Sequence, residues 1–148
     1  MGKKIRLVVL IILVVCFPGF LLYSCYRFSY PYGMQEYYSD KANYIRVEGT
    51  VSHFRYTSHS KTKLYLAFDD VTDSRLEHKD FVMEGNNLTI AQEQGLDEKV
   101  TIGSRVSFVT APKCFYDGCV LPIAALSIDG EDLLLFDEGF ENLQQIYK

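Results

Sequence analysis

Ile45-Arg46-Val47-Glu48-Gly49-Thr50-Val51-Ser52 alternates apolar or small residues with polar ones at every step. A period of two places Ile45, Val47, Gly49 and Val51 on one face of an extended chain and Arg46, Glu48, Thr50 and Ser52 on the other. One face is therefore buried. A glycine in the middle of it predicts a bulge or sharp bend rather than a flat ladder.

Downstream the alternation returns. After a loop at Thr57-Ser58-His59-Ser60, Leu64, Leu66 and Phe68 alternate with Tyr65 and Ala67 as a second strand. Asp69-Asp70 and Asp73-Ser74 mark the next turn. Phe81-Val82-Met83 is a short third strand. Asn87 is placed to cap a short helix running through Leu88, Ile90 and Ala91 to Gln94, closed by Gly95. Gly103 precedes a fourth strand with Val106 and Phe108 on one face. Asp117-Gly118 is a hairpin signal. Val120 to Ile128 is almost continuously apolar, the pattern of a central fifth strand, and Asp129-Gly130 ends it. Leu133, Leu134, Phe136, Phe140, Leu143 and Ile146 then follow at helical spacing, so the tail is expected to be helical, with a break at Gly139.

The order strand, strand, strand, short helix, strand, strand resembles an OB-fold. The residues that carry the resemblance are the long first strand with its glycine (Val47-Glu48-Gly49-Thr50-Val51) and the Gly-x-x-Val start of the fourth (Gly103-Ser104-Arg105-Val106). It covers about Tyr44 to Ile128. The resemblance implies a mainly β, five-stranded barrel whose ligands bind across the second and third strands, between the first and fourth connecting loops. On this chain that face would involve Tyr56, His59, Lys63, Tyr65 and the Cys114–Cys119 loop.

Upstream, Leu7 to Tyr26 carries no charged side chain, and Lys3, Lys4 and Arg6 stand just before it. As a helix it would be roughly 30 Å long, the thickness of a bilayer core. The basic flank predicts a cytoplasmic N-terminus and an exported remainder. Pro18-Gly19 would bend or shorten the helix. An uncleaved anchor is the favoured reading of the segment. The others are a cleaved signal and a lipoprotein, because Leu22-Tyr23-Ser24-Cys25 resembles a lipobox that offers Cys25 for lipidation. The expected layout is an anchor over 1–26, a membrane-proximal connector over 27–43, an OB-like barrel over 44–128 and a helical tail over 129–148. Tyr23, Tyr26, Tyr30 and Tyr32 suit the membrane boundary.

Charge narrows the partners. The chain has 15 basic and 19 acidic residues; without Lys3, Lys4 and Arg6 the exported part has 12 against 19, a formal −7. Such a domain repels phosphate backbones, so nucleic acid is not an expected partner. Cys114 and Cys119 enclose four residues, and an exported address permits a disulfide between them. Cys16, inside the apolar segment, reads as a small apolar residue. His53, His59 and His78 are scattered, with no metal-ligand spacing, so no metal or cofactor is expected. Asp69, Asp70 and Asp73 lack the regular calcium-loop spacing. Asp129, Glu131 and Asp132 are candidates for a hydrolytic carboxylate pair but also suit a helix start. Asn87-Leu88-Thr89 is formally a glycosylation sequon. No phosphate loop or nucleophile elbow is present.

These residues lead to a non-enzymatic, membrane-anchored binding or assembly module. It would present a barrel face and a stiffened loop, with Phe115 and Tyr116 as contacts, to a protein or glycan partner. The competing expectations are a structural subunit that associates through its anchor helix, and a small exported hydrolase.

Overall fold

Strand β1 (Ile45–Ser58) keeps its simple alternation only as far as Val51. The structure, a computed structural model, describes residues 18–22, 33–58 and 62–147. On β2 (Thr62–Asp69), Val51 pairs with Phe68 and His53 with Ala67, so Ser52 is an extra residue in β1. The bulge thus lies three positions beyond the glycine where it was expected. It switches the inward set from Val47 and Val51 to Phe54 and Tyr56, because each inserted residue turns the strand over once. The strand also continues through Thr57 and Ser58, which the sequence had suggested were loop; His59, proposed as a ligand contact, lies outside the described residues.

Gly49 serves packing instead. Its register with β4 (Arg105–Thr110) is unbroken, but a Cβ there would come within 3.0 Å of the Phe68 Cβ. The absent side chain leaves room for Phe68 to enter the barrel. Phe68 stacks on Phe108 at 4.3 Å and meets Phe81 edge-on at 5.2 Å, while Phe81 and Phe108 are 5.0 Å apart. Phe81 and Phe108 are fully buried, and such burial contributes about 2–3 kcal/mol per ring.

β3 (Asp80–Glu84) pairs antiparallel with β2 and parallel with β5 (Leu121–Ile128), and β5 returns to β4. The circuit β1-β2-β3-β5-β4-β1 closes a five-stranded barrel, a topology compatible with an OB-like fold. All eight residues of β5 are buried, in keeping with its apolar run. It too carries a bulge: Val109 pairs with Ala125 and Thr110 with Ile123, leaving Ala124 extra. Leu121 and Ile123 therefore join the barrel core before the bulge, and Leu126 and Ile128 after it.

Between β3 and β4, helices α2 (Asn86–Glu93) and α3 (Leu96–Lys99) close one end of the barrel with buried Leu88, Ala91 and Leu96. A seven-residue helix, α1, occupies residues 33–39. Gly95, at φ +88, makes the left-handed step between α2 and α3. Asn87 is not the cap: Gly85 occupies that position, and Asn87 lies inside the helix at 1% exposure. Its amide donates to the Gly139 and Ile123 carbonyls and accepts from Asn142 at 2.9 Å. A folded domain cannot offer this nitrogen to a glycosyl transfer.

The tail is not wholly helical. Asp129 (φ 52) and Gly130 (φ 81) make a two-residue turn, and β6 (Glu131–Leu134) returns along β5. The final helix, α4 (Phe136–Ile146), passes through Gly139 unbroken. A Cβ at Gly139 would lie 1.9 Å from the Ala124 carbonyl oxygen, so the glycine lets α4 approach the β5 backbone.

Contacts divide the chain into two compact units, Met1–Glu36 and Tyr37–Lys148. In the first, residues 18–22 are helical, with Phe20, Leu21 and Leu22 exposed. Among the described residues no helix is long and apolar enough to cross a membrane. Most of Leu7–Tyr26, including Cys16 and Cys25, lies outside the described residues.

Gly139→Ala forces α4 away from β5. It is expected to cost about 2–3 kcal/mol in urea unfolding of the full chain. Unchanged stability would mean that the α4–β5 contact is not close in solution.

Candidate functional site

Outward positions on the β1–β2–β3 sheet are set by the bulge at Ser52. Arg55 pairs with Tyr65, and Tyr65 with Val82; Thr57 pairs with Lys63, and Lys63 with Glu84. These side chains share the outer face, since directly opposed residues point the same way. Lys63 and Glu84 form an ion pair at 2.5 Å, which raises the lysine's pKa, chiefly through their hydrogen bond. Arg55 lies over the Tyr65 ring at 5.7 Å.

Tyr56 is elsewhere. It pairs with Leu64, a core residue, and so points to the inner side of the hairpin, towards α3. Its hydroxyl donates to the Asp97 carboxylate, which also accepts from Gln92 at 3.3 Å. Burial, and then that bond to Asp97, push the Tyr56 pKa up to about 12. The structure thus keeps Lys63 and Tyr65 together and separates Tyr56 from them.

The fourth connecting loop spans residues 111–120. It is longer than the tight hairpin that Asp117-Gly118 signals, although Gly118 does take φ +73. Cys114 and Cys119 are disulfide-bonded, with Cα atoms 5.7 Å apart. Phe115 is half-buried: it meets Tyr37 edge-on at 5.6 Å and Tyr38 at 5.8 Å, and the Lys113 ammonium sits 4.7 Å from its ring centre. Tyr116 remains 55% exposed, and its proximity contributes to the raised Lys63 pKa. The loop therefore uses Phe115 to pack and Tyr116 to face solvent.

Sequence reasoning missed the platform beneath that loop. Tyr38 is buried; its hydroxyl donates to the Lys113 carbonyl, and its own carbonyl accepts from Tyr44 and Gln144. Tyr147 stacks on Tyr38 at 4.7 Å, and burial raises its pKa. The tyrosine-rich run that includes Tyr37 and Tyr38 is the sequence signal for it, one that membrane anchoring would explain equally well. Glu84 was missed because nothing in a short apolar strand marks its last residue as the partner of Lys63.

Two of the carboxylate candidates, Asp73 and Glu131, are engaged in structure. Asp73 caps the turn at Ser74–Leu76, and Arg75 holds its pKa down to about 2, mainly through their side-chain hydrogen bond. Glu131 pairs with Lys99 at 2.6 Å. An open groove of about 430 Å³ runs past Asp69, Asp70, Glu77 and His78. Among the described residues no cluster of three or more His, Cys, Asp or Glu side chains is placed to hold a metal ion. Comparison with protein-family models, with curated proteins and with solved structures finds no match.

Two outcomes follow from this geometry. Replacing both Cys114 and Cys119 by serine should lower stability by about 2 kcal/mol in denaturant, with faster amide exchange confined to residues 111–120. Exchange that accelerates across the whole barrel would contradict a local role. Tyr56 has a folded pKa of about 12 against an ordinary 10.0, so its contribution is complete below pH 10 and lost as the pH rises towards 12. Tyr56→Phe should flatten that part of the alkaline stability profile, and an unchanged slope would count against the Asp97 contact.

Proposed function

We propose that this chain is a membrane-tethered, extracytoplasmic binding or assembly module without catalytic activity. Its N-terminus is cytoplasmic, and its barrel is presented to a protein or glycan partner. The observation that carries the reading is the Cys114–Cys119 disulfide. It pins a loop that carries the exposed Tyr116. A closed barrel supplies a rigid base, and an exposed tyrosine on a pinned loop contributes contact area with little ordering cost. Tyr65 and Tyr116, with the Lys63–Glu84 ion pair and the Arg55 guanidinium over Tyr65, offer a mixed aromatic and charged surface that suits a sugar hydroxyl array or a polar protein surface. Support for the address comes from the uncharged Leu7–Tyr26 run behind a basic flank, and from a disulfide suited to an oxidising compartment. An OB-like barrel also places ligands over β2 and β3, where Lys63 and Tyr65 stand. A second reading, association through the N-terminal helix as a subunit of a membrane complex, draws on the exposed Phe20, Leu21 and Leu22.

The test places a photocrosslinking side chain at Tyr65, Tyr116 or, as a control beyond the other end of β4, Ile102, in the full chain in whole cells. Tyr65 and Tyr116 should capture the same species, and external protease should reach the domain in those intact cells. The complex should survive removal of residues 1–26. Capture equal to the Ile102 control, or a domain shielded from external protease, would overturn the proposal; loss of all association on removing 1–26 would favour the second reading.

A further inference from the structure

β1 outruns its neighbour. β4 pairs with Ile45 to Thr50 only, and the turn before β4 extends that side by one step, through the Gly103 and Ser104 backbone bonds to Val51. From His53 to Ser58, β1 pairs with β2 on one side. Among the described residues no backbone pairing continues on the other. Among the described residues this is an open strand edge, the arrangement that invites addition of a further strand.

Three features say what would fit there. The inner-facing Phe54 and Tyr56 are 37% and 38% exposed, and they border a shallow apolar slot completed by Leu96 and Val100. The outer-facing His53 and Arg55 are exposed, and among the described residues Arg55 makes no ion pair. No carboxylate occurs in the sequence between Ser52 and Tyr65, although the chain as a whole is acidic. The Asp97 carboxylate beside the slot is occupied by Tyr56 and Gln92.

We propose that the β1 edge from His53 to Thr57 binds an extended peptide segment whose side chains alternate between apolar and acidic. Main-chain hydrogen bonds add it as a strand. Its apolar side chains lie over the exposed parts of Phe54 and Tyr56. Its carboxylates stand opposite Arg55 and His53, where a cross-strand pair of opposite charge stabilises and a like pair opposes binding. Alternation is required because one strand presents its two chemistries on opposite faces. The edge adjoins the Lys63–Tyr65 face through Arg55, which lies over the Tyr65 ring, but binding there does not depend on where in the cell the domain sits.

The test uses the purified full chain in detergent and a fluorescent, end-capped peptide alternating valine and glutamate, read by anisotropy and by amide exchange. Binding should slow exchange at residues 54–57, and both a valine–lysine peptide and the Arg55→Glu variant should bind about tenfold more weakly. Two versions of the acidic peptide, N-methylated on complementary alternate residues, separate backbone pairing from simple charge attraction. One version should lose binding and the other keep it, because only one set of amides faces the strand. No binding, equal affinity for the acidic and basic peptides, or retention by both methylated versions would each overturn the proposal. Because the assay uses purified components, such a result would leave the cellular topology test untouched.

Discussion

Three phenylalanine rings from three strands meet at the centre of the barrel, and the rest of the domain is arranged so that they can. Phe68 from β2, Phe81 from β3 and Phe108 from β4 are mutually in contact. β1 crosses over them and has no side chain to spare at Gly49, where even a methyl would press on Phe68. A barrel this small has room for a trio of rings only if one wall is thinned. The bulge at Ser52 follows: once past the rings, β1 turns over, and its later inward residues serve the hairpin and α3 instead of the core.

The second constraint is the close seat of α4 on β5. Gly139 removes the Cβ that would strike Ala124, and the Asn87 amide ties the Gly139 carbonyl to α2. A buried asparagine is tolerated because its amide donates to two carbonyls and its oxygen accepts from Asn142. Helix, strand and capping helix are thus locked by one polar group inside an apolar surround. Losing one partner there would leave a buried dipole unmatched.

Much of the architecture was legible in alternation alone. Leu64-Leu66-Phe68 belong to a strand whose every second residue is buried, β4 alternates as far as Phe108, and the long apolar run of β5 is buried throughout. The bulges were not legible, since an extra residue changes facing without changing composition. Two Asp-Gly dipeptides show the limit of local signals. Asp117-Gly118, read as a hairpin, lies in a longer disulfide-pinned loop; Asp129-Gly130, read as a strand end, is the true two-residue turn into β6. What distinguishes them is whether the flanking residues find ladder partners, a tertiary property. The site divided in the same way. Lys63 and Tyr65 were read together and share a face, but Tyr56, grouped with them, was turned inward by the bulge.

The stack of Tyr38 on Tyr147 joins the point where the chain enters the domain to the point where it leaves. Tension applied between those two ends would act on that ring pair, the Gln144–Tyr38 hydrogen bond and the α4 seat, not along the strand ladders. The domain would shed its last helix under load while its barrel stayed shut, much as a zip opens from its slider. Conversely, the unit could be spliced into a surface loop of another protein with little rearrangement, because its entry and exit already lie side by side.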